Sequence, residues 1–302
     1  MSSAFAITET ESSTPPASAG RPASRPLRVH AFSQGHQDEV LAFLSQRPIH
    51  TVFMSGLIRD NGLVSAVNRG TFYGCRDKDQ RLTGVALIGP KTVIEAHDDR
   101  TLEVFAALVP NNLTAHLVRG EQQQIEFLLS KYAEVGRKPR QLSRELLLEQ
   151  TVAGSNVGEP RLRLAYTDDL ESVISINAAL AYEESGLNPL LQDGQGMWAR
   201  TARRIDLGRV WILVENERLM FKADIISETP ETVFVEGVYV QPDARRQGYG
   251  LTCMTQLARN LLGRFGSVCL VVNEENGPAR AFYKKIGYEV RSAYSTAYFS
   301  AV

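Results

Sequence analysis

Apolar positions along the chain fall into two alternating patterns that return in the same order in each half. Short or alternating apolar runs bounded by turn residues predict strands at 27–32, 71–75, 82–89, 91–96, 115–118 and 141–149. Apolar residues at helical spacing predict helices at 38–44, 102–108 and 122–132; Val40, Leu41, Phe43 and Leu44 carry the first stripe. Gly154-Ser155-Asn156 and Gly158-Glu159-Pro160 then punctuate the chain as a linker. After it come strand 161–166, a helix opened by Asp168-Asp169 and running to about Tyr182, and a helix at 198–205. Strands at 209–215, 219–226 and 232–240, helix 250–262, strand 267–272, helix 278–286 and strand 288–299 complete the half. Two copies of one α+β plan in tandem are expected, with domains at 27–150 and 161–302 joined by 151–160. The repeat is one of layout, because the two halves share little identity.

Length and composition narrow the picture. The 302 residues suit two domains. A formal net charge of −1 argues against a largely electrostatic nucleic-acid or membrane-surface binder. No apolar run approaches the ~18 residues of a membrane span. Residues 1–26, rich in Ser, Ala, Thr and Pro, read as a disordered tail and lack the pattern of a secretory signal. Cys75, Cys253 and Cys269 are too scattered for a disulfide framework or a zinc site, which suits a reducing cytoplasm.

Chemistry concentrates between Val233 and Tyr288. The strand ending Gly237-Val238-Tyr239-Val240 runs through Gln241-Pro242-Asp243-Ala244 into Arg245-Arg246-Gln247-Gly248-Tyr249-Gly250, where a helix with Leu251, Met254, Leu257, Ala258 and Leu261 on one stripe begins. Gly248 and Gly250 leave backbone amides uncovered at the positive end of the helix dipole, and Arg245 and Arg246 add charge: a cradle for a diphosphate. A Walker loop is excluded because Leu251-Thr252 follows the second glycine. A dinucleotide fingerprint is excluded because no third glycine follows in place.

This segment resembles motif A (R/Q-x-x-G-x-G/A) of the GCN5-related N-acetyltransferase (GNAT) superfamily. Asn273-Glu274-Glu275-Asn276-Gly277-Pro278-Ala279-Arg280-Ala281-Phe282-Tyr283, followed by Gly287-Tyr288, resembles its motif B. The resemblance covers the second half. It implies a mixed, mostly antiparallel twisted sheet flanked by helices, with strands four and five splayed around acetyl-CoA as cosubstrate and with no metal. The implied contacts are Val238, Tyr239 and Val240 along the pantetheine arm, Arg245, Arg246, Gln247, Gly248, Tyr249, Gly250 and Leu251 at the diphosphate, and Asn273, Asn276, Ala279 and Phe282 beside the arm. An N–H near Val240 would hold the oxyanion. Tyr283 matches the family's general acid, and its competing reading is a phenol packed on a backbone carbonyl. Asn276 suits helix capping equally well. Glu236, placed by strand alternation on the face of Val238 and Val240, is either the general base or a supporting carboxylate.

Acceptor selection is expected from a loop at 181–198 holding Tyr182, Glu183, Glu184 and Trp198, although a plain solvated loop fits too. In the first half, His97-Asp98-Asp99-Arg100 replaces the glycine turn, and Leu129 stands where Tyr283 does, which reads as a degenerate copy. The layout resembles GNAT proteins carrying a DUF4081 domain. The reaction implied is acetyl transfer to a primary amine, on a small molecule or a peptide, by a monomer or homodimer. A non-catalytic acyl-CoA sensor, or a transferase of longer acyl groups, are the alternatives.

Overall fold

The computed structural model describes residues 27–109, 115–154 and 162–300, so the expected tail and most of the expected linker lie outside the described residues. The first half supplies strands β1 (Arg28–Ala31), β2 (Thr71–Arg76), β3 (Leu82–Ile88), β4 (Lys91–Ala96), β5 (Leu117–Glu121) and β6 (Gln141–Gln150). The second supplies β7 (Arg163–Leu164), β8 (Val210–Glu215), β9 (Arg218–Glu228), β10 (Thr232–Val240), β11 (Ser267–Asn273) and β12 (Glu289–Tyr298). Helices α1 (Gln37–Leu44), α2 (Pro48–Asn61), α3 (Asp99–Leu108) and α4 (Gln122–Glu134) belong to the first half. Helices α5 (Leu170–Ser185), α6 (Pro189–Asp206), α7 (Tyr249–Leu262) and α8 (Gly277–Lys285) belong to the second.

All twelve strands join one sheet in the order β1-β2-β3-β4-β5-β12-β6-β11-β10-β9-β8-β7. The two halves exchange their last strands. β6 crosses to pair with β11 of the second half, β12 crosses to pair with β5 of the first, and the two pair with each other from Glu289↔Glu149 to Tyr298↔Gln141. The composition of β6 favours this central place, since neighbouring Leu147 and Leu148 face opposite sides and both are buried. Leu148 joins the core of the second half, whereas Leu147 packs with Val52, Phe234, Cys269 and Tyr294 in a cluster drawn from both halves.

The sequence reading left residues 45–70 without an element, yet α2 lies there, with Pro48 in its first turn, where a missing N–H costs nothing. It lies across β9 and β10 of the other half. Close approach is possible because a methyl group on Gly56 would collide with Ser227 Oγ, which instead donates to the Val52 carbonyl at 2.8 Å. Arg209 seals the same contact by pairing with Asp60 and, at 3.1 Å, with Glu228. The first half therefore roofs part of the second.

Candidate active site

β10 and β11 run parallel and paired only at Thr232↔Ser267, Val233↔Val268 and Phe234↔Cys269. Beyond Phe234 they part, so the β11-facing edge of β10 carries backbone groups without a strand partner, open to an amide-bearing ligand. On its other edge β10 pairs with β9, but the register steps from Glu236↔Asp224 to Tyr239↔Lys222, one residue more on β10 than on β9. Gly237, at φ +60°, takes up that bulge, and Lys222 Nζ donates to its carbonyl at 3.1 Å. The extra residue reverses the alternation. Val238 and Val240 pack on the α7–α8 core beside Val235, whereas Glu236 shares the opposite face with Phe234. The expectation that Glu236 lies on the face of Val238 and Val240 is therefore corrected.

The turn before α7 is open. Arg245, Arg246, Gln247 and Gly248 are exposed, with Gly248 at φ +93° and Arg246 also left-handed. Thr252 donates to the Gly248 carbonyl, but the N–H groups of Gly248, Tyr249, Gly250 and Leu251 have no hydrogen-bond acceptor among the described residues. Four donors at a helix N-terminus, facing solvent, form an anion cradle. Arg245 Nε donates to the Val240 carbonyl at 3.1 Å, tying the turn to the end of β10, and Tyr249 donates to Glu215 at 2.6 Å. Val240 Cγ2 and the Phe282 ring lie 3.4 and 3.6 Å from where a Cβ on Gly250 would stand, so a bulky residue there would block this channel. Tyr239 turns its hydroxyl to Gln241 at 2.6 Å.

Tyr283 is only 9% exposed and packs edge-to-face on Phe282 and Tyr288. Tyr283 and Ile286 form the buried face of this segment, and Phe282 is partly open. Among the described residues the Tyr283 hydroxyl makes no hydrogen bond to a carbonyl, whereas that of the neighbouring Tyr288 is buried without a partner. Burial pushes the Tyr283 phenol well above its usual range. Asn276 caps α8 by accepting from Ala279 N–H at 3.1 Å. Asn273 accepts from Glu275 N–H and donates to Ser143 at 3.2 Å on the exchanged strand, so both asparagines serve local structure.

On the Glu236 side, the first half reaches into the cleft. Arg119, on β5, donates to Glu236 at 2.6 Å and to Thr296 at 2.7 Å, and lies 3.4 Å from Glu145. Desolvation opposes ionisation of Glu236, yet Arg119 and then Lys91 hold its carboxyl below the usual range. Glu184, at the end of α5, is pushed up to about 7 by desolvation and then by Glu236. Desolvation brings Lys91 down to about 8. Lys222, fully buried, pairs with Asp224 at 2.8 Å, and Asp224 also holds Arg204 at 3.0 Å. Sequence reasoning missed Arg119, Lys91 and Glu145 because they belong to the half without the motifs; only the sheet exchange brings them here. The expected acceptor loop at 181–198 is instead the helical hairpin of α5 and α6, with Tyr182 and Trp198 exposed.

The first half repeats the splayed geometry without the cradle. β4 pairs with β5 only from Lys91↔Leu117 to Val93↔Arg119. Asp98 then caps α3 by accepting from Thr101 N–H at 2.7 Å, so a carboxylate occupies the place a diphosphate would need. In the divergence between the strands, Arg47 bridges Glu95 at 2.8 Å and Glu121 at 2.7 Å.

Residues 222–298, which span most of β9 through β12, match the FR47-like protein family. An acetyltransferase of the GNAT family from Colwellia psychrerythraea is similar in fold, with a TM-score of 0.58 at 10% identity over 91% of this chain and 100% of its own. A GCN5-related N-acetyltransferase from Sphaerobacter thermophilus gives 0.56 at 13% identity, covering 89% of this chain and 94% of its own. A tandem GNAT protein from the clavulanic acid biosynthesis pathway gives 0.53 at 12%, covering 90% and 98%. No curated protein matches the chain by sequence. A mixed twisted sheet with one splayed, helix-flanked cleft in each half is the GNAT fold in tandem, the fold these structures share. Its second half carries the FR47-like segment. Among the described residues, no helix is long and apolar enough to cross a membrane, and no group of three His, Cys, Asp or Glu is placed to hold a metal.

Proposed function

We propose that the chain is an acetyl-CoA-dependent N-acetyltransferase whose chemistry runs in the second-half cleft. The observation that carries the reading is the opening between β10 and β11, flanked at one end by four unpartnered amides, with Tyr283 in the adjoining core that also holds Val238 and Val240. Gly248, Tyr249, Gly250 and Leu251 would hold the diphosphate of the donor. The free edge of Val238–Val240 would pair with its pantetheine amides, and an N–H near Val240 would stabilise the oxyanion that forms when the amine attacks the thioester.

The acceptor approaches from the Glu236 face, across the bulge. Its ammonium is drawn by Glu236, ionised because Arg119 is beside it, and must shed a proton before attack. A strongly ion-paired carboxylate is a weak base, so Glu236 receives and orients the amine, and proton removal to solvent runs through water or through Glu184. Collapse of the tetrahedral intermediate expels a thiolate. Tyr283, kept protonated by its dry surroundings, would hydrogen-bond to the departing sulfur and supply its proton as the C–S bond breaks.

Release of free CoA, followed with a thiol reagent across a panel of primary amines, tests this. Tyr283→Phe is expected to lower kcat by ~10²–10⁴ with acetyl-CoA binding retained. Unchanged kcat with a verified substrate removes Tyr283 from the mechanism. Binding without release for any amine leaves an acyl-CoA sensor.

A further inference from the structure

Between α2 and α6, where the two halves meet over β9, lies a cavity of about 330 Å³ that the reading above does not use. Six cations line it: Arg69, Lys91, Arg200, Arg203, Arg204 and Arg209, with Asp60 as the sole lining carboxylate. Their ion pairs do not balance. Asp193 serves both Arg69 (3.5 Å) and Arg200 (2.8 Å), Asp224 serves Arg204 (3.0 Å) while also bound to buried Lys222 (2.8 Å), and Arg209 takes Asp60 and Glu228. Five cations, Lys222 included, thus share four carboxylates. Two more have no ion-pair partner among the described residues: Arg203 donates only to neutral groups, Asn61 Oδ1 at 2.6 Å and the Asp60 carbonyl, and Lys91 Nζ sits 3.8 Å over the Phe53 ring.

Two residues of its lining, Lys91 and Arg204, also neighbour Glu236. Arg204 binds Asp224, the β9 residue directly across from Glu236, and Lys91 and Arg204 both lie close enough to Glu236 to stabilise its charge. Lys91, Arg204 and Arg209 are withdrawn from solvent while Arg69, Arg200 and Arg203 stand exposed, so the cavity offers an anion a cationic lining that opens to water. The apolar parts of Phe53, Leu57 and Leu87 leave room for a short carbon chain between the charge and the reacting amine. A volume of this order suits a small molecule and is too small for a folded partner.

We propose that this cavity is the far end of the acceptor site and receives an oxyanion, a carboxylate or a phosphate, carried by a small amine acceptor; the inference rests on the transferase reading. Glu236 and the cationic chamber then read the two ends of one acceptor, amine at the carboxylate and acid at Lys91 and Arg203.

Three acceptors of matched length test it with the full chain and saturating acetyl-CoA: n-propylamine, 3-aminopropanoate and 3-aminopropylphosphonate. The two acids are expected to show kcat/KM at least about tenfold above the neutral amine, and whichever acid leads identifies the oxyanion. Arg203→Ala and Lys91→Met are expected to raise KM for the acids about tenfold, and Arg203→Lys to restore it. Equal kcat/KM for all three acceptors, or a preference that survives in the Arg203→Ala, Lys91→Met double variant, overturns the proposal. Calorimetric titration with 3-phosphonopropanoate separates it from the transferase reading. Binding that disappears in the double variant supports the anion site even if no amine is acetylated, and absence of binding to the unaltered chain overturns it.

Discussion

Arg119→Met is the perturbation that most sharply probes the dependence of the second-half site on the first half. Arg119 is 14% exposed at its side chain and lies within reach of Glu236, 30% exposed, and Glu145, 9% exposed. Methionine fills the volume but leaves two carboxylates facing each other in a partly dry cleft. Stranding a buried charge costs ~3–5 kcal/mol, and the partial exposure of Glu236 argues for the low end, about 3 kcal/mol. For a chain of this size that corresponds to a fall in Tm of about 5 °C. The loss must also depend on pH. In the unaltered protein Arg119 holds Glu236 below its ordinary 4.5, so the pair stabilises above that value and the contribution fades as pH falls through the depressed folded value. In the variant, desolvation and mutual repulsion raise the folded carboxylate, the folded state binds protons more readily than the unfolded chain, and acidification recovers stability. The stability gap between the two proteins, from urea unfolding at pH 8 and pH 5, is therefore expected to narrow toward acid. A gap below about 0.5 kcal/mol at pH 8, or one equal at both pH values, would refute the reasoning.

Two further expectations follow from the same geometry. With Glu184 pushed up to about 7, kcat/KM for an amine is expected to rise through an inflection near that pH as the carboxylate ionises; Glu184→Gln should abolish the inflection, and an unchanged pH profile would remove Glu184 from the path of the proton. Because β12 sits between β5 and β6, residues 27–150 expressed alone should give an incomplete sheet with an exposed edge and aggregate. Co-expression with residues 151–302 should recover a folded complex, and a stable, monomeric first half by gel filtration would contradict the exchange.

The α+β class, the tandem plan and the GNAT resemblance were legible because strand alternation, helix stripes and the two glycine-bearing motifs are local patterns. β10 was placed to the residue, Thr232–Val240, by its apolar run. What escaped was non-local or irregular. α2 carries apolar residues around most of its girth, since it is buried between halves, and so lacks a clean stripe. The bulge at Gly237 turns on one residue at positive φ, and it moved Glu236 to the face opposite Val238. The strand exchange left no mark that periodicity reads, since β6 and β12 have the same internal pattern whichever neighbour they pair with. Arg119 and Lys91 were invisible for that reason: in the sequence they belong to a degenerate copy, and in the fold they stand beside Glu236. Asn273 and Asn276 occupy their motif positions, yet the hydrogen bonds they make are a turn and a cap.

The central claim is that the amides from Gly248 to Leu251 grip the diphosphate of a thioester carrier. Isothermal titration of acetyl-CoA into the purified chain, alongside Gly250→Trp, which would fill the space beside Val240 and Phe282, tests it directly. The account predicts saturable one-to-one binding by the unaltered protein, weakened at least about a hundredfold by the tryptophan, equivalent to ~2.7 kcal/mol. No heat at millimolar acetyl-CoA, or equal affinity in the two proteins, would contradict it.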